Sequence, residues 1–436
     1  MANLVKKDKQ LNKYSYYEAN LVRNAIHTPL TENIQSDICI IGAGFAGLSA
    51  AIELKQMGYD VVVLESIQCG FGASGRNGGQ VIVGYAADDQ LIKKFGIEQA
   101  KQFWDISVEG VALLKQRIQK YNIECDFEPG FLAVSTNKKK AKELFESAEL
   151  KLSKFNYPHQ KIIPKQAISN YINSDIYHNA VYDDFSGHLN PLKYALGLAD
   201  IAKSLGVRIY ENTPAVSIQG DSTLIIKTPL ANCQSKYCLI AGNVYTNEYG
   251  KLLPKKIEKQ IMPVGTYITV TEPLDKAFAD SLIPSKAAVC DTDIQLDYFR
   301  FTPDNRLLFG GDVALGSNVP ENYIERVKSR MTRVFPSVKD IKIDYTWGGH
   351  VDVTMNQLPD FGKIQNNIFY LQGFSGHGVA LTGIAGKLVA HAIDGEAKGF
   401  DLYGKIKHNR FIGPEFLRTP TLLIGLWYHT LLDKIL

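Results

Sequence analysis

The chain contains 436 residues, of which 45% are hydrophobic, so it is long enough for two globular domains. Its 48 basic and 45 acidic residues leave a net charge of +3, so the chain lacks the strongly basic composition that is typical of nucleic-acid-binding proteins. The six cysteines form no C-x-x-C pair, and none has the spacing to a histidine that is typical of a metal site. We therefore expect neither a nucleic-acid partner nor a metal.

Neither end of the chain predicts a membrane-spanning segment. The N-terminal segment lacks the apolar region of a signal peptide, and the apolar run at 422–432 is about half a bilayer span. We expect that run to dock on this protein or on a partner, with peripheral membrane contact as the alternative. Reduced thiols, such as Cys39 in a predicted buried strand, indicate a cytoplasmic protein.

Residues 1–35 are expected to be an irregular leader, and a βαβ unit follows them. Apolar runs at 38–41 and 61–64 are too short for helices and predict two buried parallel strands. The stretch between them predicts a helix with small residues on the side that packs on the sheet.

A glycine fingerprint lies at the turn from the first strand to this helix. Gly42, Gly44 and Gly47 have the G-x-G-x-x-G spacing, which lets the backbone approach a diphosphate at the helix N-terminus, where Phe45 and Ala46 lie. Glu65 ends the second strand, where a carboxylate can bind a ribose hydroxyl. The pattern favours an adenine dinucleotide over an ordinary glycine-rich turn, and at this point leaves FAD and a nicotinamide both open.

The loop at 66–85 is rich in glycine and carries few side chains able to form a core. It has six glycines between positions 70 and 84, which predicts close approach of the backbone to something flat or charged. Helices at 91–121 and 138–152 and strands at 131–135 and 180–183 then indicate a separate layer of α and β structure.

The middle of the chain is expected to return to the nucleotide-binding domain. A helix at 191–205, a strand at 207–210, a hairpin at 215–227 and a strand at 237–241 lead into Gly242, which fits a further close approach to a cofactor.

Long aromatic-rich strands at 262–270 and 298–309 predict a second, antiparallel sheet. Alternation places Tyr298 and Arg300 on one face of it and Phe299 and Phe301 on the other.

A second glycine-rich turn, at 373–378, lies between a strand at 368–371 and a helix at 379–393. A flavin has a second polar end, which becomes negative on reduction, and a second helix N-terminus stabilises that charge. The two turns therefore favour FAD, and the alternative for the second turn is a close helix–sheet contact.

The motifs GAGFAGLSAAIEL, GASGRNGGQ, DYFRFTPDNRLLFGGD, WGGHVDVTMNQLPDFG and GFSGHGVALTG occur in that order. In this order the chain resembles the D-amino-acid-oxidase-like FAD oxidoreductases, and most of all the γ-glutamylputrescine oxidoreductase group. The resemblance implies an α/β fold with a Rossmann-like FAD domain of glutathione-reductase type and an α+β substrate domain with a large antiparallel sheet. We assign 36–90, 187–250 and 355–436 to the FAD domain, and 91–186 and 251–354 to the substrate domain.

The same resemblance implies which residues surround the flavin. Those expected along its ring are Arg76, Asn77, Gly78 and Gly79, and Ser74 and Gln80 beside them are also expected to bind the cofactor. Those expected at its pyrimidine edge are Gly376, His377, Gly378 and Val379.

The substrate site is assigned by the same resemblance, with alternatives. Arg300 is expected to pair with a substrate carboxylate or, alternatively, to form a salt bridge. His377 is similar to a substrate-facing histidine of sarcosine oxidases or, alternatively, is a turn residue. Tyr267, Tyr298 and Trp347 either wall the cavity or belong to the core.

Two departures from sarcosine oxidases affect these expectations. The stretch HVDVTMNQL has no cysteine to attach a flavin, so FAD is expected to be noncovalent. Leu308 is expected at the position where those enzymes have a lysine that assists the reaction of the flavin with oxygen. A dehydrogenase, which uses another electron acceptor, is therefore an alternative.

The expected reaction is oxidation of a C–N bond by hydride transfer to flavin N5, with γ-glutamylputrescine or a related primary amine giving aldehyde, ammonia and hydrogen peroxide. Oxygen or another acceptor reoxidises the flavin. The alternatives are a D-amino-acid or glycine/sarcosine-type enzyme that passes electrons to a quinone or oxygen, and a flavoprotein without catalysis. The sequence does not determine the oligomeric state.

Overall fold

The computed structural model describes residues 4–23, 27–293, 295–315 and 321–411. The predicted docking segment at 422–432 lies outside the described residues. The helices of the described part are, in chain order, α1 Leu4–Leu11, α2 Tyr16–Ala19, α3 Phe45–Gln56, α4 Asp88–Tyr121, α5 Lys138–Phe155, α6 Pro191–Ser204, α7 Lys255–Glu258, α8 Lys276–Leu282, α9 Tyr323–Val334, α10 Gly378–Asp394 and α11 Lys398–Gly404. None of these is long and apolar enough to cross a bilayer.

The strands of the same residues fall into two sheets. In chain order they are β1 Ile34–Ile41, β2 Val61–Leu64, β3 Gln80–Val81, β4 Glu128–Ser135, β5 Gln160–Ile163, β6 Asn179–His188, β7 Arg208–Tyr210, β8 Ser217–Gln219, β9 Leu224–Lys227, β10 Asn232–Ile240, β11 Ile261–Thr271, β12 Ala288–Asp291, β13 Tyr298–Phe301, β14 Leu307–Leu315, β15 Ile343–Thr354, β16 Asp360–Gln365 and β17 Ile368–Gln372.

The first sheet has the strand order β16-β17-β10-β1-β2-β7, with β9 on β10 and β8 on β9. Five of its strands, β17, β10, β1, β2 and β7, are parallel. Alternate residues of β1 pack into different clusters: Ile38 and Ile40 lie with α3, α6 and α10, while Cys39 and Ile41 lie with the β8–β9 hairpin. Because both faces of the sheet are covered, its strands are continuous apolar runs in the sequence. The two predicted strands, β1 and β2, and the helix predicted between them, α3, are confirmed.

The second sheet has the order β15-β11-β14-β13-β12-β4-β6-β3, with β5 on β6. Its pairs are antiparallel except β12 with β4. The predicted strand at 298–309 is wrong as a single strand, because a turn at 302–306 divides it into β13 and β14. Asn305 there has a φ of +58°, which asparagine tolerates in a turn. The predicted alternation is confirmed: Phe299 stacks on Phe309 in the core beside α9, on the face opposite Tyr298.

The prediction of an irregular leader at 1–35 is wrong for residues 4–19, which are mostly helical, whereas 20–23 and 27–33 contain no helix or strand. Residues 4–19 include α1 and α2, and Tyr17, on α2, is 1% exposed. Tyr16 and Tyr17 pack on the second sheet beside Trp347 and Leu308. The segment is polar and lacks an apolar period, so its helices depend on partners far away in the sequence.

Candidate active site

A cleft connects the two glycine-rich turns that the sequence singled out. Gly42, Gly44 and Glu65 line it from the first turn, and Phe374 and Thr382 line it beside the second. The carboxyl ends of the parallel strands open into it, which is where α/β sheets bind their ligands.

The first turn needs glycine for steric reasons. Gly42 has a φ of +108°, and a Cβ on it would lie 2.6 Å from the carbonyl oxygen of Ala241. A Cβ on Gly47 would lie 2.0 Å from the carbonyl oxygen of Gly42. The helix α3 therefore starts directly against the sheet. Its first residues, Phe45 and Ala46, line the cleft, and the first turn of a helix has N–H groups free for an anion.

Glu65 lies at the end of β2, as the fingerprint predicts, and lines the cleft. Its carboxylate accepts hydrogen bonds from the N–H groups of Ala43 at 2.8 Å and Ile67 at 2.9 Å. Burial raises the pKa of this carboxyl, and these two N–H groups oppose the rise. The carboxylate oxygens retain lone pairs with which they can accept a ribose hydroxyl.

The loop after Glu65 is attached to the start of α3 through Ser74. The Ser74 hydroxyl oxygen accepts the N–H of Phe45 at 3.0 Å. A Cβ on Gly44 would lie 2.8 Å from that hydroxyl oxygen, so glycine is needed for this approach. On another wall of the cleft lies Gly242, which follows β10 as predicted.

Four consecutive carbonyl groups of this loop, at positions 76–79, accept hydrogen bonds from elsewhere in the chain. The first three bonds come from side chains at most 2% exposed: Trp347 Nε1 to Arg76 O at 2.8 Å, Tyr17 Oη to Asn77 O at 2.9 Å, and Arg300 Nε to Gly78 O at 2.8 Å. The fourth bond is from the N–H of Leu189 to Gly79 O, at 2.9 Å. Side chains from α2, β13 and β15 thus hold the loop in one conformation. We call them, with Leu189, the carbonyl clamp.

The clamp leaves donors of the same loop free. Within the described ranges, the backbone N–H groups of Asn77 and Gly78 have no hydrogen-bond acceptor. Gly78 is buried, and a buried N–H without a partner is rare in folded proteins unless a ligand accepts from it. These donors are free to bind the polar atoms of a ligand, but neither residue is among those that line the cleft.

Arg300 does not have the fork geometry expected for a substrate carboxylate. Besides its bond to Gly78, it donates to Leu189 O at 2.9 Å, to Phe301 O at 3.3 Å and to Tyr17 Oη at 3.2 Å. Most of its donors are therefore used, and the side chain is 2% exposed. The alternative of a salt bridge is not seen either, because its partners are neutral. Sequence alternation found the correct face, but not these acceptors.

Arg76 also differs from its expected place along the cleft. Its guanidinium lies 3.5 Å from the carboxylate of Asp8 on α1 and bonds to the carbonyl groups of Gly348 and Phe71. Asp8 is fully buried and contacts His350 Nδ1 at 2.7 Å. Burial alone raises the pKa of Asp8, but the bond to His350 and the charges of His350 and Arg76 outweigh burial and lower it. No pattern in the sequence pointed to Asp8.

The second turn leads into α10 at Gly378, with His377 just before the helix. Gly376 has a φ of +84° and is exposed, and Val379 is buried. Burial lowers the pKa of His377; the charge of Asp88 opposes this shift and that of Lys151 adds to it. The imidazole is therefore neutral near pH 7.

The alternative for this turn, a close packing contact, holds for the helix beyond it. A Cβ on Gly386 would lie 2.6 Å from the carbonyl oxygen of Ala46, so α10 packs directly on α3. Ser49 donates to Gly383 O at 2.6 Å across the same contact. Packing between the helices brings the two turns to one cleft.

The aromatic candidates divide between cavity and core. Tyr298 is partly exposed, its hydroxyl lies 3.0 Å from that of Thr266, and its ring packs against Gly78. Tyr267 is fully buried against Tyr323 in the core beside α9, and Trp347 is fully buried in the clamp. Of the three, only Tyr298 is placed to meet a ligand at the loop.

Asp352 is a cleft residue that the sequence analysis missed. Its carboxylate accepts the N–H of Gly373 at 2.5 Å, so it orients the turn before α10. Burial raises its pKa to about 7, against the opposing effect of backbone N–H groups. The stretch HVDVTMNQL contained this acid, but its neighbour Gly373 is visible only in the fold.

Gln80 is held in β3, where it pairs with His188. Its side-chain nitrogen is buried without a partner among the described residues. It therefore remains a candidate for a ligand contact.

Comparisons with known proteins agree with this architecture. The family model described as FAD dependent oxidoreductase (DAO) matches residues 37–392. The chain is 38% identical to the γ-glutamylputrescine oxidoreductase of Escherichia coli, covering 97% of this chain and 98% of that protein. It is 38% identical to the probable oxidoreductase OrdL of Haemophilus influenzae, covering 96% of this chain and 97% of that protein. The glycine oxidase structure from Geobacillus kaustophilus superposes with a TM-score of 0.70 at 19% identity, covering 83% of this chain and 95% of that one.

These findings confirm the predicted fold class, an FAD-binding domain together with a substrate domain, and they confirm FAD as the cofactor. Among the described residues, none of those that line the cleft is a cysteine, so none of them can attach the flavin through a thiol. The chain belongs to the DAO family of FAD-dependent oxidoreductases, which act on C–N bonds.

Proposed function

We propose that this enzyme oxidises γ-glutamylputrescine or a related primary amine to an aldehyde, with release of ammonia and hydrogen peroxide. The observation that carries the proposal is the 38% identity with the E. coli γ-glutamylputrescine oxidoreductase over almost the whole of both chains. When bound, FAD supplies the oxidising power by accepting a hydride from the carbon of the C–N bond.

The chain's own residues bind and orient the reactants. We assign the cofactor to the cleft, with the diphosphate at the start of α3, the ribose at Glu65, and the flavin between the 74–80 loop and the turn at 376–379. Gly242 completes the site on the β10 side. The assignment of 36–90, 187–250 and 355–436 to the FAD domain, and of 91–186 and 251–354 to the substrate domain, is part of this proposal.

We assign His377 as the group that accepts a proton from the substrate ammonium at an imidazole nitrogen. An amine must lose that proton before its C–H bond can be oxidised, and the lowered pKa of His377 keeps the ring neutral near pH 7. Tyr298, with its hydroxyl beside Thr266, is proposed as the wall of the substrate site. We do not propose Arg300 as the residue that binds the carboxylate of a γ-glutamyl group, because the donors of Arg300 are used in the carbonyl clamp.

The electron acceptor is proposed to be oxygen, with a slower reaction than in a lysine-containing oxidase. Leu308 is fully buried against Tyr17 and Trp347, so no ammonium is supplied from this position. Peroxide formed per substrate oxidised, compared with reduction of an artificial quinone, separates an oxidase from a dehydrogenase.

An anaerobic substrate panel tests the substrate. γ-Glutamylputrescine, putrescine, sarcosine, glycine and D-alanine are mixed separately with the holoenzyme, and bleaching of the flavin absorbance is followed. Fastest bleaching by γ-glutamylputrescine supports the proposal. Faster bleaching by glycine, sarcosine or D-alanine favours an amino-acid oxidase or dehydrogenase, and a flavin that no amine bleaches indicates a flavoprotein without this catalysis.

A cytoplasmic location is proposed because the six cysteines are free thiols, which persist in a reducing compartment.

A further inference from the structure

Three side chains able to bind a metal meet at a place outside the cofactor cleft. His27 precedes β1, Cys69 follows β2 and Glu211 follows β7, and their ligand atoms all lie within 4.8 Å of one another. They are 8%, 1% and 6% exposed, respectively. The ligands come from three distant segments, so the spacing of cysteine and histidine in the sequence did not reveal them.

The backbone around this cluster is well anchored. Leu30 donates its N–H to the hydroxyl of Thr213 at 3.0 Å, and that hydroxyl donates to Glu211 O at 2.9 Å. The N–H of Cys69 donates to Glu211 Oε1 at 2.7 Å. The segments that carry the three side chains are thus tied to each other by hydrogen bonds.

The side chains themselves are not fully satisfied. The His27 ring has no hydrogen-bond partner among the residues described, so its nitrogen atoms are available to a ligand. Nor does any basic side chain of those residues form an ion pair with the Glu211 carboxylate. Of the nearby cations, Arg23 pairs with Glu18 at 2.7 Å and donates to Cys69 O at 2.9 Å, and Lys193 pairs with Asp126 at 2.9 Å. The charge of Lys203 acts on His27, but no ion pair joins Lys203 to Glu211. A buried carboxylate without a counter-charge is costly, and a bound cation removes that cost.

We propose that His27, Cys69 and Glu211 bind a divalent transition-metal ion, with Zn²⁺ as the ion that best matches them. Imidazole nitrogen, thiolate and carboxylate are the usual ligands of zinc, and three of them leave a fourth position for water. On binding, the Cys69 thiol releases its proton to solvent, and the thiolate and carboxylate together balance the two charges of the ion. No electron is transferred.

The geometry requires only a small adjustment. Tetrahedral zinc with bonds of about 2.0–2.3 Å keeps its ligand atoms roughly 3.3–3.8 Å apart, so the most distant pair closes by about 1 Å. A surface cleft is lined by all three side chains, which gives the ion and its water a path from solvent. Cys69 lies two residues beyond Ile67, whose N–H bonds to Glu65, so the ion stabilises the loop behind the ribose end of the cofactor cleft.

Metal binding is tested on the full-length holoenzyme, prepared without a metal-binding tag and treated with a chelator. The protein is equilibrated with Zn²⁺, and bound zinc is counted by elemental mass spectrometry. Co²⁺ is bound in parallel, because its d–d absorption at wavelengths beyond the flavin bands reports a tetrahedral thiolate site. The variants are His27→Ala and Cys69→Ala, with Cys125→Ala as the control, since Cys125 is equally buried but outside the cluster.

We expect about one ion per chain in the natural protein and in Cys125→Ala, and affinity weaker by roughly tenfold or more in the other two variants. Flavin content and circular dichroism check that the variants are folded. If Cys69→Ala does not fold, His27→Ala decides alone, because the His27 ring has no hydrogen bond to lose within the described part of the chain. Zinc that is absent from the natural protein, or that binds His27→Ala equally well, overturns the proposal.

Discussion

Tyr17→Phe tests whether the carbonyl clamp prepares the loop for FAD. The change removes the donor to Asn77 O and the acceptor for the Arg300 guanidinium, while the ring and its edge contact with Trp347 remain. A lost neutral bond costs about 1 kcal/mol and one to a charged group about 1.5–3 kcal/mol. Since Arg300 keeps its bond to Leu189, we expect a total of about 2–3 kcal/mol.

If this cost falls on the loop conformation that binds FAD, the dissociation constant of FAD rises about 30- to 150-fold. It is measured by titrating apoprotein with FAD and following flavin fluorescence. The control is Tyr16→Phe, because the neighbouring hydroxyl donates to Asp304 at 2.7 Å, in the turn between β13 and β14. The control is expected to lower the melting temperature but not the affinity for FAD. Equal FAD affinity in Tyr17→Phe and the natural protein refutes the reasoning.

Three further changes test other parts of the site. Gly47→Ala is expected to abolish FAD binding, because the new methyl group overlaps Gly42 O, and flavin content measures this loss. The control is Gly383→Ala in α10, whose new methyl group meets no atom within 4 Å. This control is expected to raise the free energy of unfolding by up to about 1 kcal/mol, as measured by urea denaturation. The pKa of Asp352 is raised to about 7, so its contribution to stability is complete below about pH 4 and is lost as the pH rises towards 7. Asp352→Asn should therefore flatten the pH dependence of the free energy of unfolding between about pH 4 and pH 7. An unchanged slope in this variant contradicts the prediction. Arg300→Lys should lower kcat/KM by the same factor for γ-glutamylputrescine and putrescine, because the clamp and not the substrate is weakened; a selective loss for the acidic amine restores a substrate contact.

The sequence predicted the first sheet and its turn well because their signals are local. Two apolar runs, the spacing of Gly42, Gly44 and Gly47, and a terminal acid at 65 all act within one βαβ unit. The part of the cleft at the first turn was predictable for the same reason.

The clamp was not predictable, because its donors and acceptors are far apart in the sequence. In the sequence, Tyr17 is compatible with an exposed leader and Arg300 with a substrate contact. Only the fold shows which carbonyl groups the two side chains bind. Asp8 is a stronger case, since a buried aspartate in a lysine-rich helix contradicts the usual surface preference of that residue. Its partners, Arg76 and His350, compensate for its burial.

The clamp also sets an order of events during synthesis. The loop at 76–79 leaves the ribosome early, but three of its four partners lie at 189, 300 and 347, so its last contact closes only when most of the polypeptide has been made. Contacts of such wide sequence separation form late in folding. A nascent chain therefore gains its full grip on the flavin near the end of translation, and fragments that stop before β15 are expected to emerge colourless.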